Sequence, residues 1–307
     1  MEFLVTGSSG LLGANFIKLL HLISHKTPKV MGLDINPGEF TNNEQSIKRA
    51  KKTGLLKTLI KNCDVVIHFA SHLGVQNIVN NTNLPFKSFK NDKIVIDLAT
   101  KYRKKIVYFS TSEVYGDSKD YSESSDLIIS SKLRSNYALE KLFMERYIQS
   151  KTDNYLIIRP FNVYGPGQNP NNGFIAKVID AAFNPKEVLK IRTASNIHTD
   201  STTKRCYCYV DDFNKILYEL IKQNISGIFN IGNPLAVASP LDIIRIINNL
   251  GYDVKFEFET IENANDYEIQ KRVPNIDKLS ETIHINPTDF TDLKTGIKNI
   301  LISRKWL

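Results

Sequence analysis

Tyr137 and Lys141 are the two side chains whose spacing most directly suggests chemistry. They stand four residues apart in a stretch of helical periodicity, Tyr137 to Ile148, so both side chains project from one helix face about one turn apart. A nearby ammonium favours the phenolate, and lowering a tyrosine pKa from ~10 toward ~7 takes roughly 4 kcal/mol of differential stabilisation, which a close Lys and a further, ligand-borne positive charge could supply in a dry site. Tyr137 is therefore predicted to act as a base toward an alcohol, with Lys141 lowering its pKa.

A group of hydroxyl and carboxyl side chains follows the apolar run Ile106 to Phe109, which is typical of a buried strand. Open α/β sheets bind their ligands at this carboxyl edge. Thr111 is predicted to hold the reacting hydroxyl, and Glu113 to act as acid or base on a neighbouring carbon. A capping or loop carboxylate is the alternative for Glu113. Ser112, between them, is a further catalytic candidate.

Gly7, Gly10 and Gly13 form a G-x-x-G-x-x-G turn between the first predicted strand and the first predicted helix. Such glycines let the backbone approach a pyrophosphate, which binds the helix N-terminus. Asp34 ends the second predicted strand, where a carboxylate can bond both ribose hydroxyls, and no Arg follows it through Gly38, so NAD is favoured over NADP. The alternative is a tight turn with a surface Asp. The predicted cofactor contacts are Gly7, Ser9, Gly10, Leu11, Gly13, Asp34, Phe69, Ala70, Ser71, Tyr137, Lys141 and Pro160.

Short apolar runs alternate with helical stretches along the first half of the chain. This alternation predicts the α/β class, with a doubly wound parallel sheet covered by helices on both faces. The predicted strands are Phe3 to Val5, Val30 to Leu33, Asp64 to Phe69, Ile106 to Phe109 and Leu156 to Ile158.

The regular alternation ends at a polar, turn-rich segment, Asn169 to Gly173, of the kind that marks a domain edge. A smaller C-terminal α/β lobe is expected after it, with Tyr207 to Val210 returning to the main sheet. The predicted domains are a cofactor domain, 1–166 with 204–225, and a substrate lobe, 167–203 with 226–307.

The composition, with 42% hydrophobic and 23% charged residues among 307 and a net charge of +8, is that of an ordinary globular chain. No window approaches the ~18 apolar residues of a membrane helix, and a strand-like run from Glu2 leaves no room for a leader. Cys63, Cys206 and Cys208 form no disulfide or metal-ligand pattern, so we expect no metal and a reducing, cytoplasmic setting. The basic runs lack interleaved aromatics and predict solvated helix faces, not a nucleic-acid surface.

These motifs together resemble the extended short-chain dehydrogenases that modify nucleotide sugars, and the likeness covers nearly the whole chain. The resemblance implies a Rossmann domain that holds NAD and a C-terminal lobe that holds the nucleotide diphosphate of a sugar. It implies that Asn162, Arg205 and Arg272 bind the diphosphate, because a guanidinium fork suits phosphate oxygens; a surface ion pair is the alternative for Arg205. The matching segments are Thr6 to Gly13, Val66 to Ala70, Thr111 to Gly116, Tyr137 with Lys141, Arg159 to Gly167, Asn230 to Pro234 and Arg272 to Pro287.

The resemblance implies oxidation of the sugar at C4, after which the keto sugar is epimerised, dehydrated or decarboxylated. The order Thr111-Ser112-Glu113 resembles that of dehydratases of the GDP-mannose kind and of UDP-glucuronate decarboxylases. Many epimerases, in contrast, carry no carboxylate at the Glu113 position. Gly167 stands where decarboxylases usually have Arg, and Ser112 replaces the acid of dTDP-glucose dehydratases. An epimerase or dehydratase is the leading hypothesis. A UDP-glucuronate-type decarboxylase, a net C4 dehydrogenase and a non-catalytic nucleotide sensor stay open.

Two further expectations follow from the resemblance. The family strand that contacts adenine is not recognisable in Ser46 to Ile60, so an unusual adenine pocket is expected. A homodimer formed through two helices per subunit is also implied, and an apolar helix face is available for it unless those side chains are core. The face consists of Leu139, Leu142, Phe143 and Ile148.

Overall fold

The computed structural model describes residues 1–24, 28–71, 81, 83–116, 118, 120–129, 135–184, 186–194, 204–261 and 271–305. The strands are β1 Glu2–Thr6, β2 Lys29–Asp34, β3 Asn43–Glu44, β4 Val65–His68, β5 Lys105–Phe109, β6 Tyr155–Pro160, β7 Val163–Tyr164, β8 Leu189–Ala194, β9 Lys204–Cys206, β10 Cys208–Tyr209, β11 Gly227–Ile231, β12 Val237–Ala238, β13 Phe256–Ile261 and β14 Lys271–Arg272. The helices are α1 Leu11–Ile23, α2 Ile47–Lys52, α3 Leu55–Lys61, α4 Leu84–Lys101, α5 Ser135–Gln149, α6 Phe174–Phe183, α7 Val210–Lys222, α8 Pro240–Asn249, α9 Asp277–Ile283 and α10 Leu293–Lys305.

The chain packs into two compact units. The first unit comprises Met1–Ser118, Glu123–Pro160 and Asn214–Asn230, and the second comprises Lys119–Ser122, Phe161–Phe213 and Ile231–Leu307. The first unit thus ends at Pro160 rather than at 166, and the chain returns to it at Asn214 rather than at 204.

A seven-stranded sheet with the order β11-β6-β5-β4-β1-β2-β3 forms the centre of the first unit. The pairs from β3 through β6 are parallel. Every residue of β4 and β5 is buried, which explains the apolar runs Val65 to Ile67 and Ile106 to Phe109, because helices cover both faces of such a sheet. The strand order reverses between β1 and β4, and this switch point is where Rossmann-type sheets bind ligands. The predicted α/β fold is confirmed.

The five predicted strands all form, each within two residues of its expected ends. No strand forms within Ser46 to Ile60, all of whose residues the structure describes. That segment forms α2 and most of α3, while the strand is the two-residue β3 just before it, where Leu33 and Asp34 pair with Asn43 and Glu44. Two polar residues carry no apolar strand signal, so sequence patterning missed it.

The second unit contains three small sheets around a core formed largely by α6, α8 and α10. The prediction that Tyr207 to Val210 returns to the main sheet is wrong. Cys208–Tyr209 pairs with Val163–Tyr164 instead, and the strand that joins the seven-stranded sheet is Gly227–Ile231. A short buried strand has the same sequence pattern whether it joins the seven-stranded sheet or pairs with β7, so the sequence could not distinguish these two positions.

No helix in the described parts of the chain is both long enough and apolar enough to span a membrane.

Candidate active site at the carboxyl edge of the sheet

The glycine turn after β1 is held so tightly that side chains are excluded. Gly7 has a φ of +76°, and a Cβ there would lie 2.8 Å from the backbone nitrogen of Ala70. A Cβ on Gly13 would lie 2.2 Å from the carbonyl oxygen of Gly7. Among the described residues no side chain caps the N-terminus of α1, whose N-cap is Gly10. The N–H groups of that first turn are therefore available to an anion such as a pyrophosphate.

Asp34 lies beside this turn at the end of β2. The backbone N–H of Ser9 donates to its Oδ2 over 2.9 Å, and that of Asn36 donates to its Oδ1 over 3.0 Å. A carboxylate oxygen can accept more than one hydrogen bond, so both oxygens of Asp34 can still accept from a ribose hydroxyl. The cradle of glycines, the uncapped helix and this carboxylate fit the diphosphate and ribose of a dinucleotide.

The segment between β2 and β3 folds onto the same turn, which sequence reasoning missed. The Thr41 hydroxyl oxygen lies 2.9 Å from that of Ser8 and 2.5 Å from that of Ser9. A Cβ on Gly32 would lie 1.9 Å from the Phe40 carbonyl oxygen. No motif marks these residues. Only the short distance in sequence from Asp34 to β3 hinted that the connection is compact.

The remaining predicted cofactor contacts share this edge of the sheet. Phe69, Ala70 and Ser71 follow β4, and the Phe69 N–H donates to the Thr6 carbonyl oxygen over 3.0 Å. Within the described residues the buried hydroxyl of Ser71 has no hydrogen-bond partner. Pro160 ends β6 at the same edge, and Leu11, half-buried, begins α1.

Thr111 and Tyr137 meet at the end of β5. Thr111 is buried beside a short 3-10 helix, Ser112–Tyr115, and its hydroxyl oxygen accepts the Glu113 N–H over 3.2 Å. Thr111 lies close enough to Tyr137 for its side chain to lower the pKa of Tyr137. Glu113 is half-buried and near enough for its charge to raise the pKa of Tyr137, while Ser112 is buried in the first turn of the 3-10 helix.

The expected lowering of the Tyr137 pKa does not occur in the protein alone. Burial raises the pKa of Tyr137 above its ordinary value, and the charges of Glu140 and Glu113 raise it further. Lys141 lowers it, but this effect is smaller than that of burial. The sequence argument weighed the ammonium together with the positive ring of a bound nicotinamide, and omitted the desolvation of the phenolate and the two carboxylates.

Lys141 belongs to a buried polar network, here called the lysine cluster: His68, Asp92, Tyr108, Glu140 and Lys141. The ammonium donates to the Tyr108 hydroxyl oxygen over 3.1 Å and lies 3.8 Å from Asp92 Oδ2. Tyr108 in turn donates to Asp92 Oδ2 over 2.9 Å. His68 Nε2 and Asp92 Oδ1 are 3.1 Å apart.

A hydroxyl continues the lysine cluster toward the glycine turn. Thr6 Oγ1 lies 2.6 Å from His68 Nδ1. Because Asp92 can only accept, His68 Nε2 is assigned a proton and donates to it. Thr6 Oγ1 also accepts the N–H of Ala70 over 3.4 Å. Lys141 and Thr6, the residue before the glycine turn, are thus joined by one chain of hydrogen bonds within the first unit.

A second buried network lies further along α5 and is called here the arginine cluster: Tyr115, Glu145 and Arg159. The Arg159 guanidinium donates to Glu145 Oε1 over 3.0 Å through Nε and to Oε2 over 2.7 Å through Nη2. It also lies 4.9 Å from the centre of the Tyr115 ring. The Tyr115 hydroxyl donates to Asn230 Oδ1 over 2.8 Å.

The members of the lysine cluster other than Lys141 were missed, although the sequence held a signal for two of them. Asp92 falls on the apolar stripe of α4 with Val95, Ile96 and Ala99, and all of these are buried. Glu140 likewise lies on the buried face of α5. An acidic residue within a core stripe indicates a buried charge that needs a partner.

The predicted diphosphate ligands lie in the second unit. Arg205 on β9 is the register partner of Arg272 on the parallel strand β14, and Arg272 is buried. Like charges at directly opposite positions repel, so an anion contacted by both would stabilise the pair. Asn162 is exposed with a φ of +32°, and its Nδ2 donates to the Cys206 carbonyl oxygen over 2.8 Å.

Comparison with known proteins identifies the class to which this site belongs. A model of the NAD dependent epimerase/dehydratase family matches residues 3–232. The chain therefore belongs to that family. The predictions of family, of an enzyme and of NAD as its cofactor are confirmed.

Individual relatives differ in length. The chain is 28% identical over 304 residues to a UDP-N-acetyl-alpha-D-glucosaminuronate decarboxylase of Bacillus cytotoxicus, covering 92% of each. It is 27% identical to the bifunctional polymyxin resistance protein ArnA of Wigglesworthia glossinidia brevipalpis, and the match covers 98% of this chain but 50% of that protein. The structure of MoeE5 in complex with UDP-glucose and NAD superposes with a TM-score of 0.83 at 19% identity, covering 100% of this chain and 99% of that one. At this identity the likeness establishes the fold.

Proposed function

We propose that the protein is a nucleotide-sugar epimerase or dehydratase that oxidises its substrate at C4. The observation that best supports this is the placement of Tyr137 beside Thr111, whose side chain lowers the pKa of Tyr137, with Lys141 one turn further along the same buried helix face. Tyr137 accepts the proton of the sugar hydroxyl, and Thr111 orients that hydroxyl. NAD, when bound, supplies the hydride acceptor and a positive charge.

The state of Tyr137 sets a requirement on the site. Because burial keeps the pKa of Tyr137 above its ordinary value, the phenol holds its proton in the protein alone. Lys141 is the cation of this chain that lowers that pKa. The phenol is expected to become an effective base only in the loaded site, where a second positive charge adds to that of Lys141.

The two units divide the work in this proposal. The first unit binds NAD through the glycine turn and Asp34, and the second binds the nucleotide diphosphate. The register pairing of Arg205 with Arg272 supports the second assignment, because a diphosphate offers oxygens to both guanidinium groups.

Glu113 distinguishes the possible reactions. In a dehydratase it serves as base at C5, whereas a 4-epimerase needs no further acid or base. Its half-buried position close to Tyr137 favours a role beside the reacting carbon. Decarboxylation of a sugar acid is the second candidate, and the 28% identity to a UDP-sugar decarboxylase over nearly equal lengths favours it.

A substrate panel tests these alternatives. The enzyme is incubated with UDP-, GDP- and dTDP-sugars and with UDP-sugar acids, and the products are identified by mass spectrometry and NMR. Epimerised sugars, 4-keto-6-deoxy sugars or carbon dioxide identify the three reactions, and stoichiometric NADH marks a net dehydrogenase. No product and no NADH with any donor would leave only the nucleotide sensor.

Tyr137→Phe tests the base itself. We expect kcat to fall by about 100- to 10,000-fold, because the proton acceptor is lost, while bound NAD is retained. The matched control is Tyr147→Phe. Tyr147 lies on the same helix and its hydroxyl donates to Asp97, so this variant should keep the turnover of the wild type. Wild-type turnover in Tyr137→Phe would remove the proposed mechanism.

We also propose a homodimer through α4 and α5. Leu139 and Phe143 are exposed to 48% and 57%, and Phe86 on α4 to 69%. Leu142 is only half-buried, whereas Ile148 is fully buried and belongs to the core, so the expected face is narrower than predicted. Sedimentation of the wild type and of Phe143→Glu checks this, and a wild-type monomer would contradict it.

A cytoplasmic location is proposed on the cysteines alone. Cys63, Cys206 and Cys208 are all buried thiols, as expected in a reducing compartment. Localisation of a fluorescent fusion in the source cell checks this proposal.

A further inference from the structure

Beside the imidazole of His68, the lysine cluster contains two buried carboxyl groups and, among the described residues, one ammonium. Asp92 is 1% exposed and Glu140 is 8% exposed, and the ammonium of Lys141 beside them belongs to a residue that is 2% exposed. With all three ionised, the group would carry a net negative charge away from water. Burial penalises such an uncompensated charge strongly, so one of the two carboxyl groups is expected to hold a proton.

The hydrogen bonds indicate which one. Asp92 receives the Tyr108 hydroxyl at 2.9 Å and the His68 imidazole at 3.1 Å, with the Lys141 ammonium 3.8 Å away. In contrast, both carboxylate oxygens of Glu140 are buried, and the described residues offer no donor to either. The ionised form is therefore stabilised at Asp92 and unsupported at Glu140.

The missing partner of Glu140 is an acceptor that lies next to it. Asp92 is close enough to form a side-chain hydrogen bond with Glu140. Since two carboxylates cannot bond each other, that contact requires a proton on one of them. Placed on Glu140, the proton satisfies a buried oxygen and gives Asp92 a further donor.

We propose that Glu140 is protonated in the resting enzyme and donates its hydrogen bond to Asp92, so that this carboxyl pair holds Lys141 in place beneath Tyr137. Asp92 and Glu140 are positioning residues in this proposal, because they act through Lys141 and touch neither substrate nor cofactor. The part concerning turnover rests on the proposed function, whereas the protonation itself does not.

The electrostatics of the surrounding elements agree with this geometry. The groups that face Glu140 are Asp92 on α4, Tyr108 on β5 and its α5 neighbours Tyr137 and Lys141. Burial and the charge of Asp92 raise the pKa of Glu140 to about 7, against the lowering effect of Lys141. Burial opposes ionisation of Asp92 as well, but Lys141 and the hydrogen bond from His68 bring its pKa below the ordinary value.

The proposal has a consequence for catalysis. Above about pH 7, Glu140 loses its proton and a second negative charge develops beside Lys141. That charge raises the pKa of Tyr137 and draws the ammonium toward the carboxyl pair. Glu140→Gln keeps a hydrogen-bond donor toward Asp92 without ever acquiring the charge.

Spectroscopy tests the proton without turnover. The NAD-loaded protein, labelled with ¹³C at glutamate carboxyl groups, is titrated by infrared difference spectroscopy. We expect the carbonyl stretch of one protonated carboxylic acid that disappears as the pH rises through about 7 and is absent in Glu140→Gln. An ionised Glu140 well below that pH would overturn the proposal, whatever reaction the enzyme performs.

The pH profile of kcat tests the positioning role. We expect Glu140→Gln to match the wild type below pH 7 and to reach full turnover about one pH unit lower, since a neighbouring like charge shifts a pKa by about that much. Glu140→Ala should have a lowered kcat at every pH, and Glu140→Gln, the conservative variant, should restore it. Asp97→Asn, the same type of change at a half-exposed site on α4, should match the wild type throughout. If the pH profile of kcat for Glu140→Gln coincided with that of the wild type at all pH values, or if its kcat were as low as that of Glu140→Ala, the positioning role would be refuted.

Discussion

Helix α5 buries two glutamates five residues apart, and the hydrogen-bond donors around them differ. Glu145 is 1% exposed and accepts two hydrogen bonds from a single guanidinium in the arginine cluster. Glu140 is 8% exposed in the lysine cluster and has no such donor among the described residues. Burial alone therefore does not decide the state of a carboxyl group. The number and direction of the donors around it do.

The two clusters are otherwise built alike. Each places a cation against a buried tyrosine ring, with Lys141 4.8 Å from the centre of Tyr108 and Arg159 4.9 Å from that of Tyr115. Arginine cannot lose its proton and fixes its partner bidentately, which suits a permanent structural bond. Lysine is a compact point charge that leaves its neighbours free to exchange protons. The cluster nearer Tyr137 is the one that contains the lysine.

The largest effect is expected from breaking the ion pair between Arg159 and Glu145. Arg159→Leu leaves Glu145 buried without its partner, so the free energy of unfolding should fall by about 3–5 kcal/mol. Urea denaturation measures this change. The double variant Arg159→Leu, Glu145→Leu should regain most of the loss, because no uncompensated charge then remains. A single-variant loss below about 1 kcal/mol would mean that Glu145 tolerates burial as Glu140 does.

The sequence predicted the parts of this site that depend on local patterning. The strand, glycine turn and helix around Gly7 follow from residue order and steric need, and the spacing of Tyr137 and Lys141 follows from helix geometry. The protonation of Tyr137 was not predictable, because it depends on desolvation and on the charges of Glu140 and Glu113.

Other features lay beyond patterning because they require knowing which elements become neighbours. The two-residue strand Asn43–Glu44 has no apolar signal, and Cys208–Tyr209 could have joined either of two sheets. The lysine cluster joins side chains from β4, α4, β5 and α5, and no sequence window spans these elements. Only tertiary packing brings them together.

The second prediction concerns the pH dependence of stability. Because the folded-state pKa of Glu140 is raised from 4.5 to about 7, the folded protein binds its proton more tightly than the unfolded chain. This contribution is fully present below about pH 4.5 and is lost as the pH rises through about 7. At about 1.4 kcal/mol for each pH unit between these values, roughly 3 kcal/mol is lost.

The variant Glu140→Gln isolates this contribution. The difference in unfolding free energy between wild type and variant, measured in urea across that pH range, should decline as the pH rises. The corresponding Glu145→Gln difference is the control, because its carboxylate is already paired with Arg159. A constant difference for Glu140→Gln would mean that Glu140 titrates alike in the folded and unfolded states.

The smallest predicted effect compares the two buried tyrosines. Tyr108→Phe removes the donor to the charged Asp92 and the acceptor of Lys141, whereas Tyr115→Phe removes the donor to the neutral amide of Asn230 and an interaction with the charged Arg159. Hydrogen bonds to charged groups contribute about 1.5–3 kcal/mol and neutral ones about 1 kcal/mol, so Tyr108→Phe, which loses two charged partners against one, should cost more stability. Both variants keep the ring against its cation, which cancels the packing contribution. If Tyr115→Phe proved the more costly, Asp92 would not carry the charge on which the carboxyl pair depends, and Glu140 would have no reason to hold the proton.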